Sequence, residues 1–450
     1  MRPAAAAPLG LGQLSVTDGR FLVYVGTFIA LLWAAMASGA FFHLPLVVFL
    51  ALSLLAGMVA LARRRRWASV RWWALTVAPM AAAVVVAAEA NRALADAPYA
   101  LIPVVAAMAF GLVGSSAQGI DERWMLLGIV VEVTTVLAVL SWLGVALHWT
   151  RFATLDPEGW RASATIGYAN VTGMVLLIGL VCAAGRAAKF ARPSDDLRCW
   201  ALATGVLATQ SRSAAIALGL CLVVLWLLWR PTAKALLWSV AWAVVALAGL
   251  VPSIRDHGPQ LAPAVIACGL SAAALVLVRR PRTSLRIRAG LAVVPAVACL
   301  GAMVALRRRI SGEASVVDRL HIWHQALSGV LSGSIFGQGP RQLADLSRGH
   351  LGPLLTHNDP LQYAKYYGVL GLAALAFAIV RLGAAAVPGP RGAAPDLWAV
   401  AVAVCVGVAA VALVDFPLQV PIVPALVSLV VGASLQPGGT RKDGHEPEPI

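Results

Sequence analysis

The sequence predicts an all-α, polytopic membrane helix bundle of about twelve to fourteen transmembrane helices, with a long extracytoplasmic loop containing an amphipathic helix. Three observations carry this prediction. Of the 450 residues, 60% are hydrophobic and only 12% are charged, with a mean hydropathy of +0.82, whereas a soluble domain is about one-quarter charged. Apolar runs of the length needed to cross a bilayer follow one another along most of the chain. Lys and Arg collect on alternate connections between those runs. Together these exclude a soluble globular enzyme, a disordered chain and a small disulfide scaffold.

In chain order, the first candidate spans are 21–38, 44–62, 72–88, 99–117 and 124–147. They are followed by 166–184, 199–211, 213–229, 235–251, 261–278 and 289–306. The last three are 361–381, 396–414 and 418–435. The pair 199–211 and 213–229 is two short runs parted by the polar Gln210, Ser211, Arg212 and Ser213. No alternating pattern suggests a β-barrel, and isolated apolar strands cannot cross a bilayer. The apolar run of the first span continues past Gly39 into a second span, unlike a cleavable signal peptide. Residues 1–20 read as a cytoplasmic tail, 21–435 as the transmembrane domain, and 436–450, rich in Pro, Gly and charge, as a disordered cytoplasmic tail.

Orientation follows from the cations. With the N-terminus cytoplasmic, 23 of the 35 Lys and Arg lie inside and 12 outside, and 7 of those 12 fall in the single long segment 307–365. Short loops obey the positive-inside rule, so both termini are expected in the cytoplasm and the protein in the cell membrane. The net charge of +15 is then an orientation signal and gives no reason to expect a nucleic-acid partner. The six cysteines (182, 199, 221, 268, 299 and 405) sit in or beside apolar spans, have no zinc spacing, and read as small core residues.

Polar chemistry collects on the outer side. The loop 307–360 is far longer than most connections, which makes it a functional candidate. From Asp318 to Leu331 it places Leu320, Trp323, Leu327, Val330 and Leu331 at helical spacing, with Asp318 as N-cap, and Gly337, Gly339 and Pro340 close it in a tight turn. A helix lying on the outer membrane surface fits this pattern. His357 stands just before the next apolar run, at the mouth of the bundle. Imidazole is the side chain best suited to take a proton near neutral pH. His321, His324 and His350 read as surface residues. Arg212, between two apolar runs, must face the bundle interior or a water-filled mouth, because facing lipid costs several kcal/mol. Arg319 opens the amphipathic helix on the same side. Two guanidinium forks converging on one place suit a diphosphate, which each can grip bidentately.

Several of these residues form a set. His357-Asn358, followed after nine residues by Gly368-Val369-Leu370-Gly371, resembles the signature of the O-antigen ligase and O-antigen polymerase family. Gly167-Tyr168-Ala169-Asn170 is similar to the family's Asn-containing helix start, and Thr209-Gln210-Ser211-Arg212-Ser213 to its Ser-Arg element. Arg319-Leu320-His321-Ile322-Trp323 with Phe336-Gly337-Gln338-Gly339 resembles its Arg-x-x-x-Trp and Gly-x-Gly element. Asp415-Phe416-Pro417-Leu418-Gln419 through Pro421 is similar to a segment near the family's C-terminus. The pieces occur in the family's order, over about 160 to 435. Tyr366 stands where members often have an acid, and Pro360 where an aromatic is usual, departures that bear on substrate identity more than on reaction type.

The resemblance implies a membrane glycosyltransferase. It would move a glycan from a polyprenyl (undecaprenyl) diphosphate carrier to an acceptor hydroxyl on a glycan, lipid or protein, outside the membrane. It implies that His357 is the general base and that Arg212 and Arg319 hold the diphosphate. Asn170, Tyr168, Gln338, Asn358 and Asp415 become candidates for the sugar or acceptor pocket. Diphosphate is already a good leaving group, so positioning and electrostatic stabilisation can supply most of the catalysis. No Asp-x-Asp pair lies in the segments placed outside, so neither a metal nor another cofactor is expected. The alternatives are a transporter or flippase of lipid-linked sugars and a protein O-oligosaccharyltransferase. A transporter is expected to carry ionisable residues at mid-membrane, but here the span centres are mostly Ala, Leu and Val.

Overall fold

The computed structural model describes residues 19–63, 67–255, 258–279, 283–307, 313–349, 356–385 and 394–435. The proposed tail 436–450, most of the proposed tail 1–20, and His350, Arg308 and Arg309 lie outside the described residues.

The chain is an all-α bundle. Helices α1 (Gly19–Met36), α2 (His43–Arg63), α3 (Trp67–Ala90), α4 (Ala97–Ser115) and α5 (Ile120–Leu147) come first. After a hairpin of β1 (Ala153–Asp156) and β2 (Gly159–Ala162) follow α6 (Ala169–Phe190), α7 (Pro193–Ala208), α8 (Arg212–Leu228) and α9 (Arg230–Arg255). Then come α10 (Leu261–Arg279), α11 (Leu285–Ala305), α12 (Glu313–Ser332) and α13 (Arg341–Ser347). The last are α14 (Asp359–Ala385), α15 (Pro395–Ala412) and α16 (Ile422–Ser434).

Each of the fourteen predicted spans is a helix. Among the described residues, ten helices are long and apolar enough to cross a membrane: α1 to α6, α9, α10, α14 and α15. Arg212–Leu228, Gly290–Ala305 and Ile422–Ser434 are shorter apolar helices. The α7–α8 pair breaks where the polar residues stand, with Gln210 in the left-handed region at φ 51°. At 1.5 Å per residue these two helices are roughly 24 and 26 Å long, a little short of a hydrocarbon core of about 30 Å.

The most enclosed helix is α6, buried along almost its whole length and packed on α5, α7, α9 and α15. Its sequence explains this, because small residues such as Gly173, Gly179 and Gly185 let neighbouring helices approach closely. Cys182, Cys199 and Cys221 are buried in the same core. The start of α6 is therefore a fixed point, and the site is assembled around it.

Two features differ from the sequence reading. Helix α12 begins at Glu313, so Asp318 lies within the helix and is not its N-cap. Segment 153–162 forms a two-stranded antiparallel hairpin, with Thr154 opposite Arg161 and Leu155 opposite Trp160. Its turn, Asp156-Pro157-Glu158-Gly159, has the residues a tight turn favours, and Asp156 Oδ1 accepts from the Glu158 N–H at 3.0 Å. The hairpin rests on an apolar cluster including Trp142, Val145, Leu250 and Ile254. Trp160 stacks on His148 with ring centres 4.5 Å apart.

Candidate active site

Five of the singled-out residues meet at one end of the bundle: Tyr168 and Asn170 at the start of α6, His357 before α14, Asp415 after α15, and Arg319 in α12. Asp415 is the hub and is fully buried. Its Oδ1 accepts from its neighbour Phe416 N–H at 3.0 Å and lies 3.4 Å from His357 Nδ1. Its Oδ2 accepts from Asn170 Nδ2 at 2.6 Å and from the Tyr168 hydroxyl at 3.3 Å, with Arg319 Nη2 at 3.8 Å. A carboxylate only accepts, so this set of donors saturates it. Burial, and then the charge of Asp415, push the Tyr168 phenol above its ordinary value. Tyr168 therefore stays protonated and donates, while its oxygen accepts from Asn170 Nδ2 at 3.1 Å.

His357 is fixed from several sides. Its Nδ1 lies 3.2 Å from the Tyr168 hydroxyl as well as 3.4 Å from Asp415. Phe416, stacked on Tyr168, packs 5.2 Å from the His357 ring centre. The backbone of His357 is left-handed at φ 51°, which costs a residue with a side chain about 1–2 kcal/mol. The surroundings enforce it. Thr356 N–H donates to Gln362 Oε1 at 2.7 Å, and Asn358 Nδ2 donates to Leu413 O at 2.7 Å. Asn358 Oδ1 accepts from Leu361 N–H at 2.8 Å and so caps α14. With Nδ1 facing Asp415 and Tyr168, Nε2 is the ring nitrogen left for an incoming group.

The glycine motifs have a separate geometric role. Gly368 interrupts α14 at φ 62°, ψ −154°. This frees the carbonyls of Lys365 and Tyr366 to accept from Gln338 N–H and Gly339 N–H, both at 2.9 Å. A Cβ on Gly337 would sit 2.6 Å from Gly368 N, and one on Gly368 would overlap Ile335 O. The two glycine segments thus cross backbone to backbone and fasten the end of the long connection to α14. Gln338 contributes its main chain to this crossing; its side chain is exposed and joins none of the hydrogen bonds around Asp415.

The two arginines are placed differently. Arg319 Nη1 donates to Val414 O at 2.7 Å, tying α12 to the turn that carries Asp415, and its side chain stays 28% exposed. Arg212 is the exposed first residue of α8, directly after Ser211, whose hydroxyl caps that helix by accepting from Ala214 N–H at 3.2 Å. This loop lies against α6 one turn beyond Asn170, where a Cβ on Gly173 would sit 3.1 Å from Thr209 Oγ1. His321 and His324 are exposed. Among the described residues, no group of three or more His, Cys, Asp or Glu is placed to hold a metal ion.

Sequence reasoning missed Arg161. From β2 its Nη2 donates to Asn170 Oδ1 at 3.1 Å and its Nε to Thr209 O at 3.0 Å. The signal that could have found it is the Asp-Pro-x-Gly turn, which announces a hairpin two residues before it.

A polytopic bundle that brings a histidine, a buried carboxylate and Arg319 together at one end is the setting of a membrane enzyme, and the class of reaction comes from a comparison with known families. Residues 197–376 match the family model described as O-antigen ligase, a match that supports an assignment of this segment to that family. That stretch contains Arg212, Arg319, His357 and both glycine segments, while Tyr168, Asn170 and Asp415 lie outside it. No curated protein matches the chain.

Proposed function

We propose that this protein transfers a glycan from a polyprenyl diphosphate carrier to an acceptor hydroxyl at the extracytoplasmic mouth of the bundle. The single observation that carries the reading is the Asp415–His357 pair at 3.4 Å, whose histidine lies in the segment that matches the O-antigen ligase model. Asp415 favours the tautomer with the proton on Nδ1, so Nε2 can take the proton of the acceptor hydroxyl. The resulting oxygen attacks the anomeric carbon of the donor sugar. The bond from that carbon to the diphosphate oxygen breaks, and polyprenyl diphosphate leaves with the electron pair.

Arg212 and Arg319 offset the charge that grows on the departing diphosphate. The start of α8 is the positive end of that helix's dipole, which favours an anion. Tyr168 and Asn170 hold Asp415 in place and border the space for the sugar. The donor's tail stays in hydrocarbon while its head reaches the mouth. No step in this scheme uses a metal.

The direct test is purified protein with a polyprenyl-diphosphate-linked glycan and an acceptor polysaccharide or lipid. Transfer that persists in EDTA is expected; absence of transfer by the wild type would overturn the reading. In cells lacking the gene, accumulated single lipid-linked repeats would identify a polymerase, and accumulated long chains a ligase. Orientation is tested in the same strain, where a cysteine at Glu158 in the exposed hairpin turn is expected to react with an impermeant thiol reagent from outside.

A further inference from the structure

We infer that Arg161 is the positioning residue that locks the proton-accepting half and the diphosphate-binding half of this site into one geometry. The inference rests on the transferase reading above and adds a residue that lies outside the family-matched segment 197–376.

Arg161 bonds to both halves. On one side its Nη2 donates to Asn170 Oδ1 at 3.1 Å. A guanidinium has only donors and a carboxylate only acceptors, so Asn170 has one satisfactory orientation, with its oxygen toward Arg161 and its NH₂ toward Asp415. That NH₂ makes the 2.6 Å bond to Asp415 Oδ2, the shortest around the carboxylate that orients His357. On the other side, Arg161 Nε donates to Thr209 O at 3.0 Å.

Thr209 begins the turn through Gln210 and Ser211 to Arg212. That turn needs a left-handed Gln210, and the same strand clamps it again where Gln210 Nε2 donates to Trp160 O at 2.8 Å. Asp156, across the hairpin, lies 3.5 Å from Arg161 Nη1 and steadies the guanidinium plane. The side chain is 20% exposed, enclosed enough for these bonds to persist. Three nitrogens thus serve three partners, a geometry that lysine, with one charged nitrogen, cannot reproduce.

The test is steady-state transfer kinetics with the purified protein and a polyprenyl-diphosphate-linked glycan. Arg161→Ala is expected to lower kcat at least tenfold and to raise the donor KM several-fold, because it loosens both halves. Arg161→Lys is expected to recover less than half of the lost kcat. Double-mutant cycles separate positioning from general structural damage. In an Asn170→Ala background, removing Arg161 is expected to leave kcat nearly unchanged but still raise the donor KM. In an Arg212→Ala background it is expected to lower kcat but no longer raise the KM.

Equal multiplicative effects in both backgrounds would overturn the inference, as would wild-type kinetics for Arg161→Ala or full activity for Arg161→Lys. Should Arg161→Ala fail to fold, the same cycles are run with Arg161→Lys, and the same outcomes support or overturn the inference. A wild type that transfers glycan beside an unaffected Arg161→Ala refutes this inference alone. A wild type that transfers none removes the transferase reading and this inference with it.

Discussion

At the end of the bundle where α6 finishes and α7 and α15 begin, each of the main carboxylates faces a cation directly. Arg186 meets Asp195 at 3.1 Å, Arg279 meets Asp196 at 2.9 Å, Lys189 meets Asp396 at 3.2 Å, and Arg63 meets Glu122 at 2.9 Å. At the other end, Asp415 sits among an amide, a phenol, an imidazole and a backbone N–H, with its arginine at 3.8 Å. The first arrangement neutralises charge and pins helix ends. The second holds a carboxylate with mainly neutral donors, which leaves the guanidinium of Arg319 partly exposed and orients a histidine in a strained backbone conformation. Charge density alone does not single out the proposed working end of this molecule; incomplete charge pairing and backbone strain do mark it.

The largest effect that would sharpen this comparison is expected from His357→Ala. Loss of a general base is expected to slow transfer by about 10³- to 10⁴-fold, with thermal stability within a few degrees of wild type because the side chain is 21% exposed and its strained backbone is relieved no further. Purified-protein kinetics beside a melting curve checks this; a His357→Ala protein that transfers glycan at the wild-type rate would remove the assignment. Asp415→Asn ranks next, with a loss of about 10²-fold. The amide must point its NH₂ at one of two positions now filled by donors. Turned toward His357, it favours the tautomer with the proton on Nε2, which cannot accept from a substrate. Asp415→Asn with full activity would mean that Asp415 only supports the turn.

Most of the fold was legible because a membrane helix needs a long apolar run, and such runs stand out against Arg-rich connections. The break between α7 and α8 was legible for the same reason in reverse, since Gln210 to Ser213 interrupts the apolar pattern. In the candidate site, His357, Arg319, Tyr168, Asn170 and Asp415 could be proposed from short motifs, but their mutual geometry could not. Sequence shows that Gly337 and Gly368 are glycines and cannot show that each is the other's partner. Gln338 and Asn358 illustrate a further limit: the motif marks the position, while the structure uses the main chain of one and gives the other a helix-capping role. Arg161 was missed because strand pairing is a long-range fact, and a ten-residue hairpin leaves little trace beside spans twice its length.

The smallest expected effect on catalysis, and the sharpest test of the contrast, lies at the ion-paired end. Arg186 donates to Asp195 Oδ1 and, at 2.8 Å, to Trp124 O, so it joins α6 to both α7 and α5. Asp195 is 1% exposed, and removing one partner of a buried pair leaves an uncompensated charge at a cost of several kcal/mol. Arg198, 3.8 Å from the same oxygen, softens the loss, so Arg186→Gln is expected to cost about 2–3 kcal/mol and to lower the melting temperature in detergent. Transfer per folded molecule is expected to change by less than about twofold, because no hydrogen bond of the His357 group runs through Arg186. If Arg186→Gln instead lowered kcat as far as Asp415→Asn does, the two ends would be coupled through α6. The division into a stabilising end and a working end would then give way to a single cooperative unit.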